Sequence, residues 1–194
     1  ANLNLLSNVD GVSCYSLTIE ENALLKFEDR QVIATIKGVD DNYIRVTSID
    51  SSMWDGEFSL MSENGRPWAV PGIGIAQYLG LSINFIRPLF IYVPRVTAGN
   101  TVDPEEAFNR DFIFLSGIFQ IEQSYDAKYV YLPIGFARDL IQNETGVSSV
   151  EIRFTDDADA EDVQNNVEKI FGKSFIVQNR FEQQEIFYKV MRSE

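Results

Sequence analysis

Apolar and polar positions along this chain repeat mostly with a period of two, broken in a few places by a helical period. Residues 12–19 read as a half-buried strand, and Ala23-Leu24-Leu25-Lys26-Phe27 reads as another after the polar Glu20-Glu21-Asn22. A third, Gln31 to Val39, follows the charged Glu28-Asp29-Arg30. Three strands with tight polar turns predict an antiparallel meander. Residues 1–8 suit the end of a helix, and residues 42–53 a short helical or irregular segment. Glu57-Phe58-Ser59-Leu60 suits a short strand, and Asn64-Gly65 marks a turn. Pro71 opens a short helix whose apolar Ile75, Ala76, Tyr78 and Leu79 face a sheet, with Gly80 at its C-terminal cap.

The second half is patterned more strongly. Pro88 to Pro94 is an apolar strand bounded by prolines, and its partner is Asp111 to Phe119. The polar stretch from Arg95 to Arg110 joins them, too long for a tight hairpin turn and of a length that often carries function. Lys128 to Pro133 is a strand running into a helix with Phe136, Leu140 and Ile141 on one face. Val147 to Phe154 alternates as a strand. Asp159 to Phe171 carries Val163, Val167, Ile170 and Phe171 on one helical face, and Ser174 to Val177 returns as a strand. The pattern predicts an α+β fold. Its expected division is a discontinuous lobe of residues 1–40 and 123–194, with residues 41–122 inserted as a mainly β lobe.

Composition and charge narrow the function classes. The chain has 29 acidic and 16 basic residues, a formal net charge of -13. That balance argues against nucleic-acid binding and against broad docking on anionic lipid. Cys14 is the one cysteine, so no internal disulfide forms, and its strand-like surroundings predict a small core residue. No apolar run approaches the ~18 residues that signal a membrane span. The last residues, 180–194, keep a helical period to the end, and the first carry neither an initiator Met nor a signal peptide. The expectation is a domain excised from a longer protein.

Residues for chemistry are sparse. The sequence holds no histidine, which removes the usual general base and the commonest metal ligand. No phosphate-binding glycine-rich motif is present, and Gly72-Ile73-Gly74 lacks a third glycine in register. The acidic run Asp156 to Asp162 departs from the calcium-loop pattern and suits helix capping instead. Trp68 is expected in a small core. Phe108 is an apolar residue in a polar loop, an anchor for a partner or a pin for the loop. The reading is a non-enzymatic protein with no cofactor and no metal.

Several segments in succession resemble one family. Gln31 to Asp40 resembles a family strand ending in Gly-Val-Asp, and Gly74 to Leu81 its short helix ending Leu-Gly-Leu. Phe112 to Phe119 is similar to its strand ending in Gly-Ile-Phe, and Tyr125 to Pro133 to its Tyr-Asp…Tyr-Val-Tyr-Leu-Pro segment. The family is the periplasmic core domain (MacB-like) of ABC-transporter permeases of the lipoprotein-releasing (LolC/LolE), macrolide-exporter and FtsX-like type. The resemblance covers residues from about 9 to 180.

The resemblance implies a mixed α/β membrane-proximal, porter-like lobe with an inserted, mainly β, sabre-like lobe. It implies membrane helices on both sides and a place outside the cytoplasmic membrane, in the periplasm. The implied partners are an ABC ATPase subunit reached through the membrane part, a second permease copy or paralogue, and a periplasmic lipoprotein carrier. In one permease type the loop matching Pro94 to Arg110 forms a hook that engages the carrier. The corresponding candidates here are Arg95, Asp103, Pro104, Glu105, Phe108 and Arg110. Two alternatives stand beside this reading: a secreted or surface-anchored ligand-binding or adhesion module, and a hydrolase using Glu105 and Glu106.

Overall fold

A long hairpin organises the chain. β1 (Val12–Phe27) and β2 (Arg30–Val39) pair antiparallel from Thr18↔Val39 to Phe27↔Arg30. The reversal between them places Glu28 at φ 52, in the left-handed region. Glu20-Glu21-Asn22, expected as a turn, stays inside β1. Its polar side chains find partners across the ladder: Glu20 lies opposite Lys37, and Thr35 donates its hydroxyl to Asn22 Oδ1 at 3.2 Å. The expected meander is therefore a single hairpin. This computed structural model describes residues 3–84, 87–95, 107–172, 175–179 and 181–183.

α1 (Tyr43–Thr47), a 3₁₀ turn (Ile49–Ser52) and β3 (Met53–Gly56) follow, then β4 (Trp68–Pro71), α2 (Ile73–Leu79), β5 (Leu89–Pro94) and β6 (Phe108–Leu115). The remaining elements are β7 (Gly117–Phe119), α3 (Gln123–Asp126), β8 (Tyr129–Pro133), α4 (Ile134–Ile141), β9 (Ser149–Phe154) and α5 (Ala160–Phe171). Seven strands form one sheet in the order β2-β8-β4-β6-β5-β1-β9, and the β1–β2 hairpin closes its first six into a ring. β2–β8 and β4–β6 are parallel, while β4–β8, β5–β6 and β1–β5 are antiparallel. This mixed sheet with its helices is the α+β class the pattern predicts.

Some boundaries differ from the pattern for local reasons. The expected strand 111–119 breaks at Ser116, whose carbonyl accepts from Glu57 N and whose hydroxyl donates to Ser59 O at 2.6 Å. β7 then pairs with β3 in a small second sheet. Phe58, expected in a strand, is instead buried from an irregular segment. β4 is too short to show a period, and its edges are set by β6 on one side and β8 on the other.

The chain divides into two compact units, Ser16–Glu151 and the discontinuous pair Ala1–Tyr15 with Ile152–Glu194. Boundaries near 40 and 122 do not appear, because β4, β5 and β6 of the expected insert share one sheet with β1, β2 and β8. In the larger unit Leu25, Ile36, Leu89, Ile91, Ile113, Val130 and Leu132 form the core with Ile75 and Leu79 of α2 and Ala137 of α4. Full burial of each large aliphatic side chain contributes roughly 1.5–3 kcal/mol. Gly38 permits the approach of α4, since a Cβ there would lie 2.5 Å from the Ala137 methyl.

In the smaller unit Leu6, Val9, Val163 and Val167 are buried. Gly11, at φ +84, passes close to Val163 and Ala158. Asp159 caps α5, its Oδ1 accepting from Glu161 N at 2.8 Å and Asp162 N at 3.3 Å. The acidic run therefore serves the helix start. The expected returning strand fails: among the described residues 175–177 are unpaired, with Ile176 89% exposed. The Val177 carbonyl accepts from the Gln164 side chain at 3.2 Å, not from a strand. No helix among the described residues is long and apolar enough to cross a membrane.

Candidate functional site

The outer face of the closed sheet has two halves, and each raises a functional question. Alternation along β1, β2 and β8 puts Glu20, Lys37 and Tyr131 on that face in register, with Val70 of β4 beside Tyr131. α1, the 3₁₀ turn and the segment carrying Phe58 cover this half, so Val39, Tyr43, Ile49, Phe58, Val70, Phe119 and Tyr131 form a second buried cluster. Lys37 enters it as a charge between Ile36 and Gly38-Val39, in the buried half of its strand. A lone cation there needs partners, because burying an unpaired charge costs far more than packing gains.

Those partners are present. Lys37 Nζ lies 2.6 Å from Glu151 Oε1 and 3.2 Å from Glu20 Oε1, and its side chain is 8% exposed against 29% for each carboxylate. The rings of Tyr43 and Tyr129 sit 5.5 and 5.8 Å from the ammonium. Beyond them the hydroxyls of Tyr43, Tyr131 and Tyr125 form a chain, with oxygens 3.1 and 2.8 Å apart. Burial alone would lower the Lys37 pKa. The carboxylate of Glu151, then Tyr125 and Glu20, outweigh it and drive the value well above the usual lysine range. Burial raises the Tyr131 and Tyr43 hydroxyls in the same direction. Lys37 stays charged and Tyr43 and Tyr131 stay neutral at neutral pH, which suits a fixed polar anchor.

The anchor stands where the chain leaves the larger unit. Glu151 is that unit's last residue and Ser16 its first. Ser16, fully buried, donates its hydroxyl to Asp40 Oδ1 at 2.7 Å, and Leu17 N donates to Asp40 Oδ2 at 2.9 Å. Thr18 and Ser149 share a hydrogen bond of 2.6 Å between these two strand segments. Both crossings are thus held to the end of β2 through Lys37 and Asp40.

The hook candidates fall partly on the other half of the face. Arg95 N donates to Ala107 O at 2.9 Å, and its Nε donates to Asn109 Oδ1 at 2.8 Å. Asn109 is buried and donates from Nδ2 to Leu140 O, tying the loop end of the hairpin to the end of α4. Phe108 lies opposite Pro94, and Arg110 opposite Tyr92. The structure brings Arg95, Phe108 and Arg110 together at the loop end of the β5–β6 hairpin. Asp103, Pro104 and Glu105, with Glu106, lie outside the described residues.

Sequence reasoning missed the exposed row beside them. Phe90 and Phe112 are paired across β5 and β6, 40% and 50% exposed, with ring centroids 6.3 Å apart, and Phe112 meets Phe114 edge-on at 6.0 Å. Ile33 is 74% exposed on the same face. Trp68 is half-buried next to Phe114, and Cys14 is half-buried rather than core. Among the described residues no group of three acidic or cysteine side chains is arranged to hold a metal.

No family model matches the sequence, and no curated protein is significantly similar to it. Solved structures are similar. The extracellular domain of the noncanonic ABC-type transporter YknZ from Gram-positive bacteria superposes with a TM-score of 0.60 at 15% identity, covering 91% of this chain and 87% of that one. The periplasmic region of MacB from Actinobacillus actinomycetemcomitans gives a TM-score of 0.62 at 13% identity, covering 95% of this chain and 80% of that one. At such identity it is the fold that is shared. The chain has the MacB-like fold shared by these two extracytoplasmic domains.

Proposed function

We propose that this chain is the extracytoplasmic, periplasmic domain of an inner-membrane ABC-transporter permease. In this reading it couples ATP hydrolysis by a separate ATPase to the export or release of a lipoprotein or another amphiphile. The observation that carries it is the shared fold over 91% and 95% of the chain. The domain acts by docking and by transmitting movement, not by catalysis; a sequence without histidine supports that. A second permease copy or paralogue and a periplasmic lipoprotein carrier are its proposed partners, the latter at the loop end of the hairpin, at Arg95, Phe108 and Arg110. The two polar anchors, Lys37–Glu151 and Asp40–Ser16, support the mechanical part. They give the chain firm purchase where it leaves the larger unit, as a two-state rearrangement requires.

The test is the reading frame immediately outside Ala1 and Glu194. Apolar segments of about 20 residues on each side, and recovery of the whole protein with an ATPase from the membrane fraction, are the expected results. Polar flanks behind a lone signal peptide overturn the proposal in favour of a secreted binding module.

A further inference from the structure

The uncovered half of the outer face has a composition unlike the rest of the molecule. Two rows of residues run straight across β2, β1, β5 and β6. One is Gln31, Lys26, Phe90, Phe112; the other is Ile33, Leu24, Tyr92, Arg110. Together they hold five apolar or aromatic side chains, two cations and no carboxylate. In a chain with 29 acidic residues against 16 basic ones, that is a local inversion of charge. Asp111, the carboxylate nearest in β6, lies opposite Ile91, on the alternate side.

Lys26, Phe90, Arg110 and Phe112 are all exposed, and among the described residues nothing lies over them. Aromatic residues with arginine are the composition of energetic centres in protein interfaces. An exposed apolar patch of this kind on a monomer marks a contact surface.

We infer that this face docks an acidic amphipathic segment of a partner protein, its apolar side on Phe90, Phe112, Tyr92 and Ile33 and its carboxylates on Lys26 and Arg110. The inference stands on the face itself and does not depend on the transporter reading. The net charge of the chain opposes an acidic ligand at long range. At about 0.15 M salt the screening length is about 8 Å, so contacts on the face outweigh charges elsewhere. An anionic lipid surface is disfavoured, because a bilayer presents its charge over an area that also meets the acidic remainder of the molecule.

The test uses the full chain and two synthetic helical peptides of about 18 residues (five turns). They share one Leu/Phe face, and the polar face is all Glu in one and all Lys in the other. Binding is followed by calorimetry and by tryptophan emission, Trp68 lying across from Phe114. The Glu peptide is expected to bind at least about tenfold more tightly, a difference of about 1.4 kcal/mol. Lys26→Glu with Arg110→Glu is expected to reverse that order. Phe90→Ser with Phe112→Ser is expected to remove binding of both peptides while circular dichroism and the urea midpoint hold. Equal affinities, tighter binding of the Lys peptide, or no binding overturn the inference. So does tighter binding to phosphatidylglycerol vesicles, or self-association of the chain that Phe112→Ser abolishes.

Discussion

One sheet face carries two halves of opposite character, and the register explains both. From Glu20–Lys37 toward Tyr131 the face is roofed by α1 and the segment through Phe58, and the polar groups under that roof all find partners. Four to six residues further along the same hairpin, Ile33 and Lys26 stand in the open around a half-buried Leu24, with Phe90 and Phe112 beside them. The covered half buries a charge and the open half exposes aromatics, the reverse of what composition alone suggests. A polar side chain is stable inside where its partners are fixed, and an apolar one persists outside where a partner is to come.

Breaking the covered half has the largest expected effect. Lys37→Met removes the cation between Glu20 and Glu151 and is expected to cost about 3 kcal/mol, the lower end for a broken buried pair, because each carboxylate retains some solvent. Urea denaturation reads it. Adding Glu20→Gln and Glu151→Gln to Lys37→Met is expected to recover part of the loss; if the triple variant is worse than the single one, the charges do not explain the site.

Tyr131→Phe is the next largest. It deletes the middle hydroxyl of the chain and strips Tyr43 and Tyr125 of their shared partner, for about 1–2 kcal/mol. The ring is kept, so the aromatic contacts with Phe58 and Phe119 should survive. Near-ultraviolet circular dichroism close to that of the parent checks this.

Alkali should act on the covered half before the open one. The unfolded tyrosines ionise near 10.0 and the unfolded lysine near 10.5, whereas burial holds the native Tyr43, Tyr125 and Tyr131 protonated and Glu151 helps hold the native Lys37 charged. Above about pH 10 the unfolded chain therefore binds fewer protons than the native one, and stability falls as pH rises. Below that range these groups contribute their full stabilisation. Urea midpoints between about pH 9 and 11.5 should decline, and Tyr131→Phe should flatten the decline. An unchanged slope would place the alkaline weakness elsewhere.

On the open half the smallest stability effect is expected. Phe112→Ser should change the unfolding free energy by no more than about 0.5 kcal/mol, as for other surface changes. A loss of several times that would mean the aromatic row holds the hairpin together and is no free surface.

Much of this was legible in the sequence. The β1–β2 turn, the helix closed by Gly80, the β5–β6 pairing and the helix capped by Asp159 each rest on neighbours along the chain, so local pattern sufficed. The segments that carried the family resemblance also have physical work. Gly38 admits α4, Asp40 receives Ser16 and Leu17, and Asp126 accepts from Ile121 N at 2.8 Å. Tyr125 joins the hydroxyl chain. The lone Lys37 amid apolar residues was the visible trace of the anchor, but Glu151 is 114 positions away and no local rule pairs them.

What the sequence by itself determined is the position of the β1–β2 reversal, of the β5 and β8 strands and of the α2, α4 and α5 helices, because side-chain alternation, turn residues and caps act over a few positions. Only the tertiary structure decided which strands share a sheet, and so which side of each is roofed. That choice put β4, β5 and β6 beside β1, β2 and β8, moved the unit boundaries to 15/16 and 151/152, and left Ile33 in solvent while Lys37 is buried. Two-residue periodicity tells which residues lie on the same face of a strand; it carries no information about what covers that face.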